Sequence, residues 1–389
     1  MTKRNNLLIV ILTIGVFGIL NTEMGVIGIL PDIADHFHIS VSKAGWLVSA
    51  FALVVAISGP TMPLLFSGIN RKKVMLLVLG VFVVGNIVSI FTSNFTILLI
   101  ARIIPAFFHP IYCSLAFTVA AASVRKEEAP KAVSKVFVGV SAGMVVGVPI
   151  ASFISSAVSF EMAMAFFVIV NAIVFMATVI FVPSMPVEKR LSYGTQFSVL
   201  KKYIIWLSIL TVILLNSAIF GVFSYLADYL KTVTNMPSNT ISLILFVYGG
   251  ANIIGNILAG KLLTKNAQKV VAIFPFILGI VYILLFLFGQ VTVPMAFITL
   301  IWGILGGVAG NINQYWISTA APEAPDFANG LFLSACNIGT TIGAAVGGLF
   351  ISEMGTKYVV LVGILSLILS LVTILLRNYR YSPVKQLSI

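Results

Sequence analysis

Apolar residues run along this chain in stretches of about twenty or more, the length one helical membrane crossing needs. Short polar breaks separate the stretches and carry most of the charge. The runs predict helices over 6–31, 41–66, 73–92, 95–121, 132–156 and 162–183, then over 203–230, 239–263, 269–290, 294–319, 327–352 and 356–376. A soluble amphipathic helix shows one apolar stripe, whereas these are apolar on all sides, as buried or lipid-facing helices are. The expected fold is therefore an all-α membrane protein of twelve transmembrane helices. A secretory signal peptide fits the N-terminus poorly. The apolar stretch after Lys3 and Arg4 is too long, contains Glu23 and lacks a small-residue cleavage site.

The breaks orient the chain. Of 23 Lys and Arg, 19 fall on one side of the predicted spans, including Arg71, Lys72, Lys73, Lys189, Arg190, Arg377 and Arg380. Lys43, Lys231 and Lys357 fall on the other side, and Arg102 lies inside helix four. The positive-inside rule then places both termini in the cytoplasm. The longest polar interruption, near the chain's midpoint, divides it into a six-helix bundle over 1–183, a cytoplasmic linker over 184–202, and a second bundle with a short tail over 203–389. A shift of 196 residues pairs Gly25 with Gly221, Asp32 with Asp228, Asn70 with Asn266, Lys73 with Lys269, Gly143 with Gly339, and Gly147 with Gly343. One offset holding across five helices implies two homologous, pseudo-symmetric halves, an organisation built for transport.

Composition narrows the function. With 60% apolar residues, 9% charged residues and a mean hydropathy of +1.12, a water-soluble enzyme is excluded. The net charge of +12 is dispersed between spans rather than gathered on one surface, so nucleic acid is not the partner. Cys113 and Cys336 form neither a zinc pattern nor a disulfide framework. No G-x-x-x-x-G-K-[ST] loop, HExxH pair or nucleophilic serine context occurs. The expectation is a non-enzyme with no cofactor and no metal, working as a monomer in the bilayer.

Charges within apolar helices carry the chemistry, because each is costly unless paired or solvated. Glu23 lies about eight residues from the outer end of helix one, and Arg102 at a similar depth in helix four. Both depths come to roughly 12 Å at about 1.5 Å per residue. Glu23 is the candidate proton carrier and Arg102 its partner, with Asp32, Asp228 and His109 as the alternatives. Arg102, Ala106, His109 and Cys113 share one face of helix four by their spacing. His109 serves there either as a packing histidine or as a working group. Asn216, Asn311 and Gln314 act either as substrate contacts or as amide bonds between helices. The aromatic residues Tyr112, Phe220 and Tyr225 interleave with these polar groups. We take His109, Tyr112, Asn216, Phe220, Tyr225, Asn311 and Gln314 as candidate substrate-binding residues. Gly143 and Gly147 with Pro149 on helix five, and Gly339 and Gly343 on helix eleven, form stripes that let backbones approach and bend.

These motifs resemble the twelve-helix drug:proton antiporters of the major facilitator superfamily. Gly143, Gly147 and Pro149 are similar to that family's helix-five antiporter motif, with Val148 interrupting the usual Gly-Pro pair. Arg102 matches the arginine of its helix-four motif, which the resemblance associates with proton transfer. The stretch from Asn21 to Ala34, His109-Pro110, and NIGTTIGAAVGG are similar to the bacterial branch of sugar, purine and chloramphenicol efflux proteins. The loop between helices two and three departs from the pattern: Ser67 replaces the family's aspartate and Asn70 its glycine, while Arg71, Lys72 and Lys73 persist. A latch that needs that aspartate lacks it here.

The resemblance implies that helices one, four, seven and ten line a cavity. It also implies proton-coupled efflux of a small organic solute, such as a drug, sugar or nucleobase, across a bacterial cytoplasmic membrane. Two rivals remain, an ion-coupled importer on the same fold and a non-transporting membrane scaffold or sensor.

Overall fold

A computed structural model describes residues 3–39, 41–187 and 192–380. Among them, ten helices are long and apolar enough to cross a membrane. One of the ten, Ser238–Phe288, is two helices divided at Asn266, whose backbone leaves helical geometry (φ −159°, ψ 82°). With the shorter apolar helix Trp46–Ser58, the twelve expected spans are all present.

We label them in order. The first six are α1 (Lys3–Gly25), α2 (Trp46–Ser58), α3 (Arg71–Phe91), α4 (Phe95–Ala122), α5 (Ala129–Ala142 with its continuations Gly143–Gly147 and Val148–Ala157) and α6 (Phe160–Phe181). The others are α7 (Tyr203–Phe223), α8 and α9 (the two parts of Ser238–Phe288), α10 (Thr292–Ser318), α11 (Pro325–Met354) and α12 (Val360–Arg380). Large apolar side chains stand outward along these helices, Phe91, Phe153, Phe297 and Leu349 among them. In water such a surface would aggregate; in a bilayer it is the contact with lipid.

The expected spans differ from the structure where glycine and proline interrupt them. The second was expected unbroken over 41–66, but it stops at Ser58 and resumes as the short helix Met62–Phe66, with Gly59 and Pro60 between. Proline has no N–H to give the helical ladder. The seventh breaks after Phe223 and resumes as Leu226–Thr232, matching the short helix Leu30–His36 that follows α1. The fifth widens into a π-helical turn at Gly143–Gly147, just before Pro149.

The chain forms two compact units, Met1–Gln196 and Phe197–Ile389. Within each, the same helices perform the same tasks. In the first, Asn70 caps α3 by accepting bonds from the N–H groups of Lys72 and Lys73 (3.0 and 3.4 Å). In the second, its repeat partner Asn266 caps α9 by accepting from the N–H of Lys269 (3.1 Å). Asparagine is among the best residues at an N-cap, so the asparagine that departs from the family loop has a structural task in both halves. Ser67 accepts a bond from Nε2 of Gln196 (3.0 Å), and the N–H of Arg71 donates to the carbonyl of Met185 (3.0 Å). Both ends of the segment that leaves α6 are thus held by neutral groups within the first unit.

The glycine stripes occupy equivalent places. A β-carbon on Gly139 would lie 2.2 Å from the carbonyl oxygen of Thr13, and one on Gly147 would lie 2.1 Å from Oδ1 of Asn21. On α11, a β-carbon on Gly339 would lie 2.5 Å from the carbonyl oxygen of Ile213, and one on Gly347 the same distance from that of Gly221. Helix α5 therefore presses its backbone on α1, and α11 presses on α7. Only residues without a side chain permit this.

Candidate functional site

The first unit buries its charges where α1 and α4 meet. Glu23 sits near the end of α1, and its Oε2 lies 3.0 Å from Nε2 of His109 on α4. Their side chains are 11% and 5% exposed, so this contact is shielded from solvent. An ionised carboxylate only accepts hydrogen bonds, so Nε2 of His109 is the donor. One helical turn further along α4, Sγ of Cys113 lies 3.7 Å from the same nitrogen. Phe51 of α2 closes the site edge-on, with ring centroids 5.9 Å apart.

Arg102 does not take the place expected of it. Its Nη2 donates to the carbonyl oxygens of Thr22 (3.0 Å) and Glu23 (3.3 Å), not to the Glu23 carboxylate. Its guanidinium also stands over the Phe51 ring, 5.6 Å from the centroid. The depth arithmetic put Arg102 and Glu23 at one height, and they are. Two turns of α4 separate Arg102 from His109, and that distance lets the histidine reach the acid while the arginine reaches the backbone beside it.

A set of uncharged groups fixes this end of α1. Oγ1 of Thr22 donates to the carbonyl of Gly18 (3.0 Å). The same oxygen accepts from Nδ2 of Asn171 on α6 (2.9 Å) and Nδ2 of Asn86 on α3 (3.3 Å). Sequence reasoning missed both asparagines. Their signal, an amide inside an apolar run, was no different from that of the other intrahelical amides. Tyr112 is fully buried, its hydroxyl standing where a β-carbon on Gly15 would come within 1.9 Å.

In the second unit the candidate substrate residues bond mostly to other helices. Nδ2 of Asn216 donates to the carbonyl of Cys336 (2.6 Å) and to Oγ1 of Thr340 (2.7 Å), both on α11. The hydroxyl of Tyr225 donates to the carbonyl of Ala344 (2.7 Å) on the same helix. Nδ2 of Asn311 reaches Oδ1 of Asn256 on α8 (2.7 Å), and Nε2 of Gln314 reaches Oδ1 of Asn329 on α11 (2.8 Å). Phe220 packs edge-on against Phe223, with centroids 5.9 Å apart. Of the two tasks open to these amides, the bonds between helices are the ones the geometry displays. Each such bond is worth about 0.6 kcal/mol on average in a membrane protein.

No cluster of three or more His, Cys, Asp or Glu occurs among the described residues. A groove of about 490 Å³ between α3 and α4 is lined by Leu76, Val84, Ile97, Ile104 and other apolar residues. It offers a solute no polar side chain.

Two six-helix halves with repeated glycine crossings and a buried ionisable pair define a multi-pass membrane transporter. The Major Facilitator Superfamily family model matches residues 12–326 and 235–388, and the chain belongs to that superfamily. It is 31% identical over 377 residues to YtbD of Bacillus subtilis, an uncharacterised MFS-type transporter, covering 93% of this chain and 92% of the relative. It is 27% identical over 353 residues to YdhP of Escherichia coli K12, an inner membrane transport protein, covering 90% and 91%. Among solved structures, the human organic anion transporter MFSD10 superposes with a TM-score of 0.80 at 15% identity, covering 96% of this chain and all of that one. The Escherichia coli fucose:proton symporter FucP gives 0.76 at 15% identity, covering 94% and 97%. At that identity the two structures establish the shared fold. Being a member of this superfamily, the chain carries a small molecule across a membrane and is not an enzyme.

Proposed function

We propose that this transporter is a proton-coupled exporter of a small organic solute in a bacterial cytoplasmic membrane, working by alternating access as a monomer. The observation that carries the reading is the Glu23–His109 pair, two ionisable side chains 3.0 Å apart and nearly solvent-free inside membrane helices. Burying such groups is expensive and a scaffold gains nothing from them. The glycine crossings of α5 on α1 and of α11 on α7 support the antiport reading through their resemblance to the antiporter motif. The inner-membrane description of YdhP supports the location.

Purified protein screened by thermal shift against a sugar, a nucleobase and a cationic drug should be stabilised by one class. Reconstituted in liposomes, it should then accumulate that solute against its gradient when a pH difference is imposed. Failure of every such flux to respond to the pH difference would refute proton coupling.

The topology has its own test. Ser192 is exposed, and the distribution of basic residues argues for a cytoplasmic position of its segment. A cysteine there should resist an impermeant thiol reagent in intact cells and react once the membrane is opened. Cys113 is buried, and the partly buried Cys336 is first replaced by serine to remove its background. Labelling in intact cells would overturn the orientation.

A further inference from the structure

We propose that the transported proton loads on Nδ1 of His109, and that Glu23 is the carboxylate that fixes the imidazole for this task. The inference rests on the proton-coupled reading above and assigns the atom.

The argument is one of valences. Glu23 accepts at Nε2 over 3.0 Å, so that nitrogen already carries its hydrogen. Cys113 approaches the same nitrogen at 3.7 Å. Nδ1, the other ring nitrogen, is buried and has no hydrogen-bond partner among the described residues. A neutral imidazole with its hydrogen on Nε2 has its lone pair at Nδ1, the open basic position in the cluster. A buried polar atom without a partner calls for an explanation, such as an ordered water or a role in proton chemistry. Loading adds one proton at Nδ1 and breaks no bond between heavier atoms; unloading reverses it. The Nε2–H bond to Glu23 persists throughout and becomes a bond between opposite charges.

The charges around the ring agree with this. Glu23 faces it from α1, Cys113 and Arg102 lie on α4 itself, and α2 contributes the uncharged Phe51. With Glu23 ionised and Arg102 charged, the unloaded cluster is neutral and the loaded one carries a single positive charge. Arg102 bonds to carbonyl oxygens rather than to the acid, so the carboxylate is left to the histidine. Pro105 and Pro110 flank His109 on α4. Each removes one bond from the helical ladder, so this stretch bends more readily than an unbroken helix.

The chain has three histidines, His36, His38 and His109, which makes the test direct. Full-length protein with nitrogen-15 in its histidines, carrying His36→Gln and His38→Gln, is placed in lipid nanodiscs and its imidazole nitrogens are followed from about pH 10 to about pH 5. We expect one tautomer at high pH, protonated at Nε2 and bare at Nδ1, and a proton arriving at Nδ1 as the pH falls. In Glu23→Ala the high-pH ring should populate both tautomers and still take up its proton. A ring merely buried for packing would keep one state throughout. A bare Nδ1 at every pH, a protonated Nδ1 at every pH, or an Nδ1-protonated neutral tautomer would each overturn the proposal. None of these readings requires a known solute, so the assignment can fail while proton-driven flux stands, and the reverse.

Discussion

Leucine at Gly143 is expected to abolish transport while the protein still reaches the membrane. A β-carbon there would lie 2.7 Å from Cβ of Leu20 and 3.1 Å from the backbone nitrogen of Asn21. A leucine side chain has no room unless α5 moves away from α1. The position also opens the π-helical turn Gly143–Gly147, which has a wider hydrogen-bond register than the helix on either side. Overpacking of this kind costs about 1–3 kcal/mol, which a membrane bundle can survive while its crossing is locked in the wrong place. The repeat position gives a harsher case. A β-carbon on Gly343 would lie 2.6 Å from the carbonyl oxygen and 2.8 Å from Cα of Ser217. Both are backbone atoms that no rotamer change can move aside, so Gly343→Leu should reduce the amount of folded protein as well. Flux normalised to the protein recovered in the membrane checks both. Unchanged flux in Gly143→Leu would show that the crossing does not have to move.

Glutamine at Glu23 or at His109 should reduce gradient-driven transport by at least about tenfold and leave solute exchange between two equal pools intact. Exchange needs no net proton movement, whereas uphill flux does. One charge moved through the whole potential supplies about 2.3 kcal/mol per 100 mV, enough for roughly a fiftyfold solute gradient. Without the histidine that loads the proton, or the carboxylate that fixes its ring and balances its charge, that energy is not delivered. Arg102→Ala should fail differently. As the partner of Glu23 that the sequence suggests, Arg102 would neutralise the carboxylate, and its loss would strand a buried acid. In the structure the acid keeps His109, and the loss falls on the bonds to the carbonyls of Thr22 and Glu23. Hydrogen bonds from a charged group are worth about 1.5–3 kcal/mol. The thermal stability of Arg102→Ala should fall accordingly, while exchange in the surviving protein persists. Equal loss of exchange and of driven flux in Glu23→Gln and His109→Gln would show that the pair binds solute instead.

Spans were legible because hydrophobicity is local, and repeat-related positions because the repeat has one offset. Asn70 and Asn266 could be paired by that offset, and their common task as caps of α3 and α9 then follows from residue type and position. The glycine stripes were legible as places of close approach, since spacing shows the face; only the fold names α1 and α7 as the helices approached. The breaks near Gly59 and at Phe223, and the π turn in α5, were not foreseen, because an apolar run looks the same whether or not its ladder is continuous. The site was half legible. Spacing placed Arg102, His109 and Cys113 on one face of α4, and depth placed Arg102 level with Glu23. Which of them bonds to the acid depends on how α1 rotates against α4, which the tight approach of Gly139, Gly143 and Gly147 to α1 helps to fix. For Asn216, Asn311 and Gln314 the partners are Cys336, Thr340, Asn256 and Asn329, all on other helices and invisible to any local pattern.

Antiport itself has a direct test that does not depend on how the protein is oriented in a vesicle. Liposomes containing the protein and a pH-sensitive dye, with equal pH on both sides, receive the identified solute from outside. If solute entry expels protons, the interior turns alkaline, and it should do so with wild-type protein and not with His109→Gln. An interior that acidifies as solute enters, or one whose pH does not change while solute accumulates, would contradict the account.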